Sequence, residues 1–402
     1  MFRPGLVDGG LAQSDPNRLT GPGPSGIVCS VREPDIRRMK TRYSYVDPEI
    51  ANDRRLNDEL GLGIGPVIDL GDTLRDDLDE SSYGIGWWTT YPALSRKTRI
   101  FISDYLVACA RDVATNLLEA HSYRLEFDHA LDDFKEYMKR GIRRNTAVIP
   151  PPRGLYDDLS YFRISAHLVG MLRAYGSALD CLGGCIVGVA GLPTDIVRTG
   201  LHQAKETLEG QCHDVRLNRL YDDLLRCEAD AGPEGWIPWL VGMRNTVVHR
   251  ARRVVTFNVN RGPGGQVDLE LLLPRSPELT EVEAWIQAGG QVASHFEVPA
   301  DAFLTDLAAS VHVYLADAAA LLITLWAERK ADPSLITQPA RQWKKPTGII
   351  RPVPSFGGFD LPAPAGKVSG VGVSNEMAIR LSAAGLTDLG PDDVRPSPAV
   401  WS

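Results

Sequence analysis

Three side chains near the middle of the chain have the types and spacing for chemistry on a phosphate ester. They are Arg244, Asn245 and His249, in the stretch WIPWLVGMRNTVVHRARRVV that runs from Trp236 to Val255. A guanidinium binds a phosphate through two parallel hydrogen bonds. An imidazole moves a proton near neutral pH. Asn245 and His249 are i,i+4, so on a helix the amide can reach the ring and help set its tautomer. Arg244 and His249 are i,i+5, roughly 140° and about 7.5 Å apart on a helix. They do not overlay, but a long arginine could share one cleft with the ring.

A helix is what must position them. At 100° per residue, Trp239, Leu240, Met243, Val247 and Val254 fall on one side as a core-facing stripe. Arg244, Asn245, His249, Arg252 and Arg253 fall on the opposite half, with Val248 among them. That half carries no acid, so it gains none of the i,i+4 pairs of an ordinary solvated face. It either faces an anion or repels itself. The plainer alternative is a basic helix end that docks on an acidic neighbour.

The arrangement Arg-Asn-three residues-His resembles the signature of the HEPN superfamily (higher eukaryotes and prokaryotes nucleotide-binding). That signature is an arginine, a polar residue directly after it, and a histidine, with four to six residues between arginine and histidine; here four stand between Arg244 and His249. The resemblance implies a mainly α fold, a helical bundle of HEPN type. It also implies metal-independent RNA cleavage with Arg244, Asn245 and His249 as the catalytic set. Arg250, Arg252 and Arg253 would then contact RNA. No cofactor and no metal would be required, and two copies would pair so that both motifs form one composite site. The family setting is host defence or a toxin–antitoxin system, with an inhibitor such as a nucleotidyltransferase-type antitoxin. Two other readings stay open: a non-catalytic HEPN-like module that binds nucleotide or protein, and a helical scaffold unrelated to HEPN.

Composition narrows the setting. The chain has 402 residues, 44% hydrophobic and 23% charged, enough for a sizeable core. A net charge of −8 excludes a general nucleic-acid coat but allows a local basic cleft. The eight histidines and six cysteines show no zinc spacing. Cys181 and Cys185 sit four apart in an apolar run and read as buried free thiols, which fits a reducing cytoplasm. The first 19 residues lack the apolar core of a signal peptide. The most hydrophobic helix, Phe303 to Trp326, carries Asp306, His312 and Asp317 and reads as a core helix rather than a membrane span.

Taken in order, residues 1–30 are rich in Gly, Pro and Ser and read as a flexible arm. Residues 31–150 form an N-terminal helical region. Within it, Glu33–Leu60 suggests one or two helices. The run GLGIGPVIDLGD, 61–72, lacks the spacing of a phosphate loop and reads as an ordinary loop. Trp87 and Trp88 follow in a short aromatic segment. A helix starts near Ser95, and a second, about Arg124 to Lys139, returns after a turn. It ends in a basic knot of Lys139, Arg140, Arg143 and Arg144, with Arg153 beyond. Such a knot either tracks an RNA backbone or is a solvated helix end. Pro150–Pro152 marks a boundary.

Residues 151–330 form the HEPN-like domain. A long helix spans 155–192, with a Gly-rich end that lets another helix approach closely. Helices follow at about 194–209, 213–229 and 237–253, the last carrying the motif. Arg198 and His202 have only three residues between them, so they miss the HEPN spacing. The alternating stretches RVVTFNVN and GQVDLELLLP, joined by RGPGG, read as a hairpin inserted near 253–273. A helix near 278–288 and a long one over 300–330 close the domain. From 331 to 402 Pro and Gly recur in an extended tail, with one short helix near Asn375–Ala384.

Overall fold

A computed structural model describes residues 48–78, 96–143, 155–192, 194–211, 214–249, 256–261, 267–276 and 296–331, and the single positions 279, 283 and 286. Within these the chain is mainly helical with one small sheet. In order it forms α1 (Pro48–Leu60), α2 (Gly65–Leu78), α3 (Arg96–Arg143), α4 (Leu155–Ala190), α5 (Leu201–Glu209), α6 (Val215–Ala231) and α7 (Trp236–His249). The strands β1 (Thr256–Arg261), β2 (Val267–Pro274) and β3 (Phe296–Pro299) follow, then α8 (Ala300–Ala331). The arm over 1–30, Trp87 and Trp88, and residues 332–402 lie outside the described residues, as does most of the helix expected near 278–288.

The centre of the fold is α4. It packs against α3, α5, α7 and α8, and its last ten residues, from Cys181 to Ala190, are apolar all round, as a helix end enclosed by others must be. The α3–α4 pair runs antiparallel. A Cβ on Gly170 would lie 2.7 Å from the Tyr123 ring, and one on Gly184 would lie 2.6 Å from Cys109 Sγ. Such contacts are shorter than real Cβ atoms tolerate, so these glycines are what lets the axes come close. Its far end is closed by a cation: buried Arg329 of α8 donates to the backbone carbonyls of Gly188 (3.2 Å) and Val189. These belong to the last turn of α4, whose carbonyls have no intrahelical partner and where a cation is favoured.

The long helix α8 buries Leu304, Leu307, Val311, Tyr314, Leu315 and Leu322. It is tied to α2 by Trp326 Nε1 donating to Asp77 (2.9 Å) and by Lys330 pairing with Asp77 (2.7 Å). Against α8 lies α6, through Leu217, Leu220 and Leu224 at helical spacing, with Asp214 capping its first turn at Arg216 N (2.9 Å). The sheet is antiparallel, in the order β1-β2-β3. The hairpin register pairs Val259 with Leu269 and Phe257 with Leu271. Leu269, Leu271 and Leu273 alternate inward, and Phe257 meets Phe134 of α3 with ring centroids 4.8 Å apart.

Four expectations are corrected. The helix starting near Ser95 does not turn at residue 124: α3 is one helix of 48 residues. No Gly or Pro interrupts residues 96–140, and Arg124 pairs with Asp128 one turn on (2.9 Å), so nothing in the sequence stops the helix there. The run 61–72 is a turn only at its start. Gly61 (φ 63°) and Gly63 (φ 70°) make the turn, Asn57 Oδ1 accepts from Ile64 N–H (2.9 Å), and α2 then begins. Pro66 stands in the first turn of α2, where its missing N–H costs nothing. The helix expected from 194 begins at Leu201, after a stretch in which Thr199 Oγ1 donates to Asp195 O (2.7 Å). The third strand, β3, was not expected. The boundary expected at 150 falls outside the described residues, and one hydrophobic cluster joins residues on both sides of it, from Ile64 to Trp326.

Candidate functional site at the α4–α7 crossing

The motif helix starts where Gly235 adopts φ 86°, a left-handed conformation that favours glycine. Pro238 falls in its first turn, where no N–H is needed. Two tryptophans anchor it. Trp236 Nε1 donates to Glu228 O at the end of α6 (3.2 Å), and Trp239 Nε1 donates to Pro274 O at the end of β2 (3.2 Å). Trp236 meets Tyr314 edge-on at 5.9 Å, and Trp239 meets Phe303 at 4.5 Å. Leu240, Met243 and Val247 point into the core, as the stripe requires, while Trp239 is half-buried. Thr246 is also buried, and Val248 is 42% exposed. The side of α7 between core and solvent therefore carries Arg244 and half-buried Asn245.

Arg244 lies across α4. A Cβ at Gly176 would come within 2.5 Å of Arg244 Cδ and 3.1 Å of its Nε, so only glycine leaves room for this stem. The guanidinium then reaches one turn along α4, where Nη1 donates to Asp180 Oδ2 at 2.8 Å. Arg244 is 22% and Asp180 47% exposed, so water reaches the pair from the carboxylate side. Arg244 Nε is buried and has no hydrogen-bond partner among the described residues. The other carboxylate oxygen, Oδ1, rests against Gly200, where a Cβ would lie 2.4 Å away. Gly176, Asp180 and Gly183 fall within about 60° of each other on α4. Gly183 in turn lets the backbone of Gly200 and Leu201 approach, at 2.4 and 2.5 Å from where its Cβ would be.

Of the residues expected to form the site, Arg244 and Asn245 are thus placed. His249 ends α7, and its side chain lies outside the described residues, as do Arg250, Arg252 and Arg253. The residue that sequence reading left unplaced is Asp180. It lies on a neighbouring helix, and the structure sets it against Arg244. The acid-free face of α7 does meet an anion, and α4 supplies it. Arg198 and His202, set aside on spacing, flank Gly200. Each is exposed beside a carboxylate of its own turn, Asp195 at 3.9 Å and Glu206 at 3.3 Å. In the basic knot, Lys139 pairs with Glu136 (3.3 Å), and the arginine side chains lie outside the described residues.

Among the described residues, the buried cysteines are held as thiols at neutral pH. Burial pushes the Cys109 thiol up to about 11 and that of Cys181 to about 12. Cys185 is raised as well, again by burial first. These three, with Cys227, are free thiols. A second polar group sits between α3, α4 and α8. His312 lies edge-on to Tyr175 at 6.2 Å, and its Nε2 has no partner among the described residues. Burial, then the nearby His121, lower the His312 pKa, partly offset by the Leu62 backbone carbonyl.

Comparison of the chain with family models, with curated proteins and with solved structures gives no match.

Proposed function

We propose that this chain is a metal-independent RNA endonuclease of HEPN type. The observation that supports the reading is an arginine held on a helix crossing, directly before a polar residue and five residues before a histidine, at the HEPN spacing. In this mechanism Arg244 binds the non-bridging oxygens of a phosphodiester. The ribose 2′-oxygen attacks the adjacent phosphorus and the 5′-oxygen leaves. His249 takes the 2′-hydroxyl proton or gives a proton to the leaving 5′-oxygen. Asn245 orients His249 or the phosphate. The products are a 2′,3′-cyclic phosphate and a 5′-hydroxyl. Arg250, Arg252 and Arg253 hold the RNA backbone. A two-fold homodimer brings two motif helices together, and the setting is a cytoplasmic defence or toxin–antitoxin system with an inhibitor, such as a nucleotidyltransferase-type antitoxin.

The Arg244–Asp180 pair also favours a second reading, a non-catalytic module, because the guanidinium already has an anionic partner. One experiment separates the two. Single-turnover cleavage of total cellular RNA, in chelator, compares wild type with His249→Ala. Loss of the imidazole removes a general acid or base and lowers the rate on the order of 10²–10⁴-fold while RNA retention persists. Wild type that binds RNA and cuts nothing supports the module. Normal cutting by His249→Ala refutes the mechanism, and activity that returns only with added divalent metal refutes metal independence.

A further inference from the structure

The motif arginine is not held by its own helix. Its stem runs through the gap at Gly176, and its only described ion pair is with Asp180, 64 residues earlier in the chain. Asp180 is itself fitted to its place, one oxygen on Arg244 Nη1 and the other against Gly200, where any side chain would collide with it. The carboxylate side of the pair is open to water while the Arg244 Nε side is buried. A guanidinium is planar and offers donors in a fixed fork. Fixing Nη1 therefore fixes the direction of the remaining edge.

We infer that Asp180 is a positioning residue for Arg244: it locks the guanidinium so that its remaining terminal N–H groups meet a phosphodiester in one orientation. The functional half of this inference rests on the reading of Arg244 as a phosphate ligand; the positional half does not. Asp180 touches the arginine and not the reacting atoms. Without it, Arg244 keeps its charge and loses its direction. A misaimed ligand costs more in the reaction step than in binding.

The test uses the full chain and four proteins: wild type, Asp180→Asn, Arg244→Ala and the double variant, with Asp180→Glu as a second probe of placement. Arginine side-chain N–H signals are followed by NMR in the free protein, with Arg244 assigned by Arg244→Lys. In wild type the Arg244 guanidinium gives distinct, slowly exchanging signals. In Asp180→Asn they average, whatever the protein binds. Unchanged Arg244 signals in Asp180→Asn overturn the inference. Single-turnover cleavage of a short RNA is then expected to fall about 10-fold in Asp180→Asn, with affinity for its uncleavable 2′-deoxy analogue changed far less. In the Arg244→Ala background, Asp180→Asn is expected to do nothing further. Equal effects in both backgrounds, or tighter RNA binding by Asp180→Asn, overturn it as well. If wild type neither binds nor cuts RNA while its Arg244 signals behave as stated, the nuclease reading falls and the positional assignment stands.

Discussion

Gly176→Ala tests the α4–α7 crossing in the simplest way, by adding one methyl group. That methyl would lie 2.5 Å from Arg244 Cδ, 3.1 Å from Nε and 3.4 Å from Cγ. Carbon atoms rest at about 3.5–4.0 Å, so Cδ must move by about 1 Å. Overpacking of this size costs about 1–3 kcal/mol. Alanine in a helix interior recovers about 0.5–1 kcal/mol relative to glycine. The net expected loss is therefore about 0–2.5 kcal/mol, a fall of up to a few degrees in Tm. In an Arg244→Ala background the colliding atoms are gone. There Gly176→Ala should stabilise by about 0.5–1 kcal/mol, so the effect changes sign. Thermal and urea unfolding of the four proteins reads the cycle directly. If Gly176→Ala has the same effect in both backgrounds, the arginine stem does not lie where it is described and the argument for the site fails.

Gly183→Ala meets backbone, not a flexible side chain, because its Cβ would lie 2.4 Å from the Gly200 carbonyl carbon; it should cost clearly more than Gly176→Ala in the same unfolding assay, and a neutral effect would contradict this packing. Arg329→Met keeps an apolar stem but leaves the carbonyls of Gly188 and Val189 without their donor; an expected loss of about 1–3 kcal/mol is checked by urea unfolding, and an unchanged midpoint would show that this cap contributes nothing. His312 binds a proton less readily folded than unfolded, because burial and the His121 charge disfavour the cation. Stability is thus fully present above the ordinary histidine value of 6.5 and falls as pH drops below it. His121, also lowered by burial, acts in the same direction. Tm measured from pH 7.5 to 5 should fall less steeply in His312→Gln, and parallel curves would remove His312 from the acid response.

How much of this was legible in the sequence follows from the range of the interactions. The apolar spacing of 155–190 and 300–331 marks α4 and α8 because one buried stripe repeats over many turns. The hairpin shows in the alternation of Leu269, Leu271 and Leu273 around a Gly-Pro-Gly-Gly turn. The length of α3 is not legible in its sequence: average helices are short, and nothing local says that this one carries on for 48 residues. The α2 helix was hidden because Gly65, Pro66 and Gly71 read as breakers. Yet Pro66 is in the first turn, and Gly71 faces the α3 backbone at Ala110 and Arg111. With four residues, β3 is too short for a pattern and exists because β2 offers it an edge. In the site, Arg244 could be chosen from its neighbours alone. Asp180 could not, because only the α4–α7 crossing brings two residues 64 apart into contact. The one sequence hint was the spacing Gly176 to Asp180, a gap and an acid one turn apart on the same helix.

On the proposed reading, that crossing also separates two jobs that the sequence runs together. The stretch from Arg244 to Arg253 looks like one continuous basic feature, but the first arginine is electrically balanced by Asp180 and the later ones follow the end of α7. A neutral pair attracts a distant phosphate weakly; a long-range pull on RNA has to come from unbalanced cations, and it is screened by salt within about 10 Å at 0.1 M. On the proposed reading, Arg250, Arg252 and Arg253 therefore gather the RNA and Arg244 aims at one phosphate within it. The salt dependence of binding should follow the first group and the rate of cleavage at saturating RNA the second. On that reading, the helix whose Asp180 aims Arg244 is also the one that centres the core. Gly170, Gly184 and Gly188 on one side of α4 admit α3, and Gly176 and Gly183 on another admit Arg244 and the chain before α5. A shift of α4 within the core would thus be felt at Arg244, through Gly176 and Asp180.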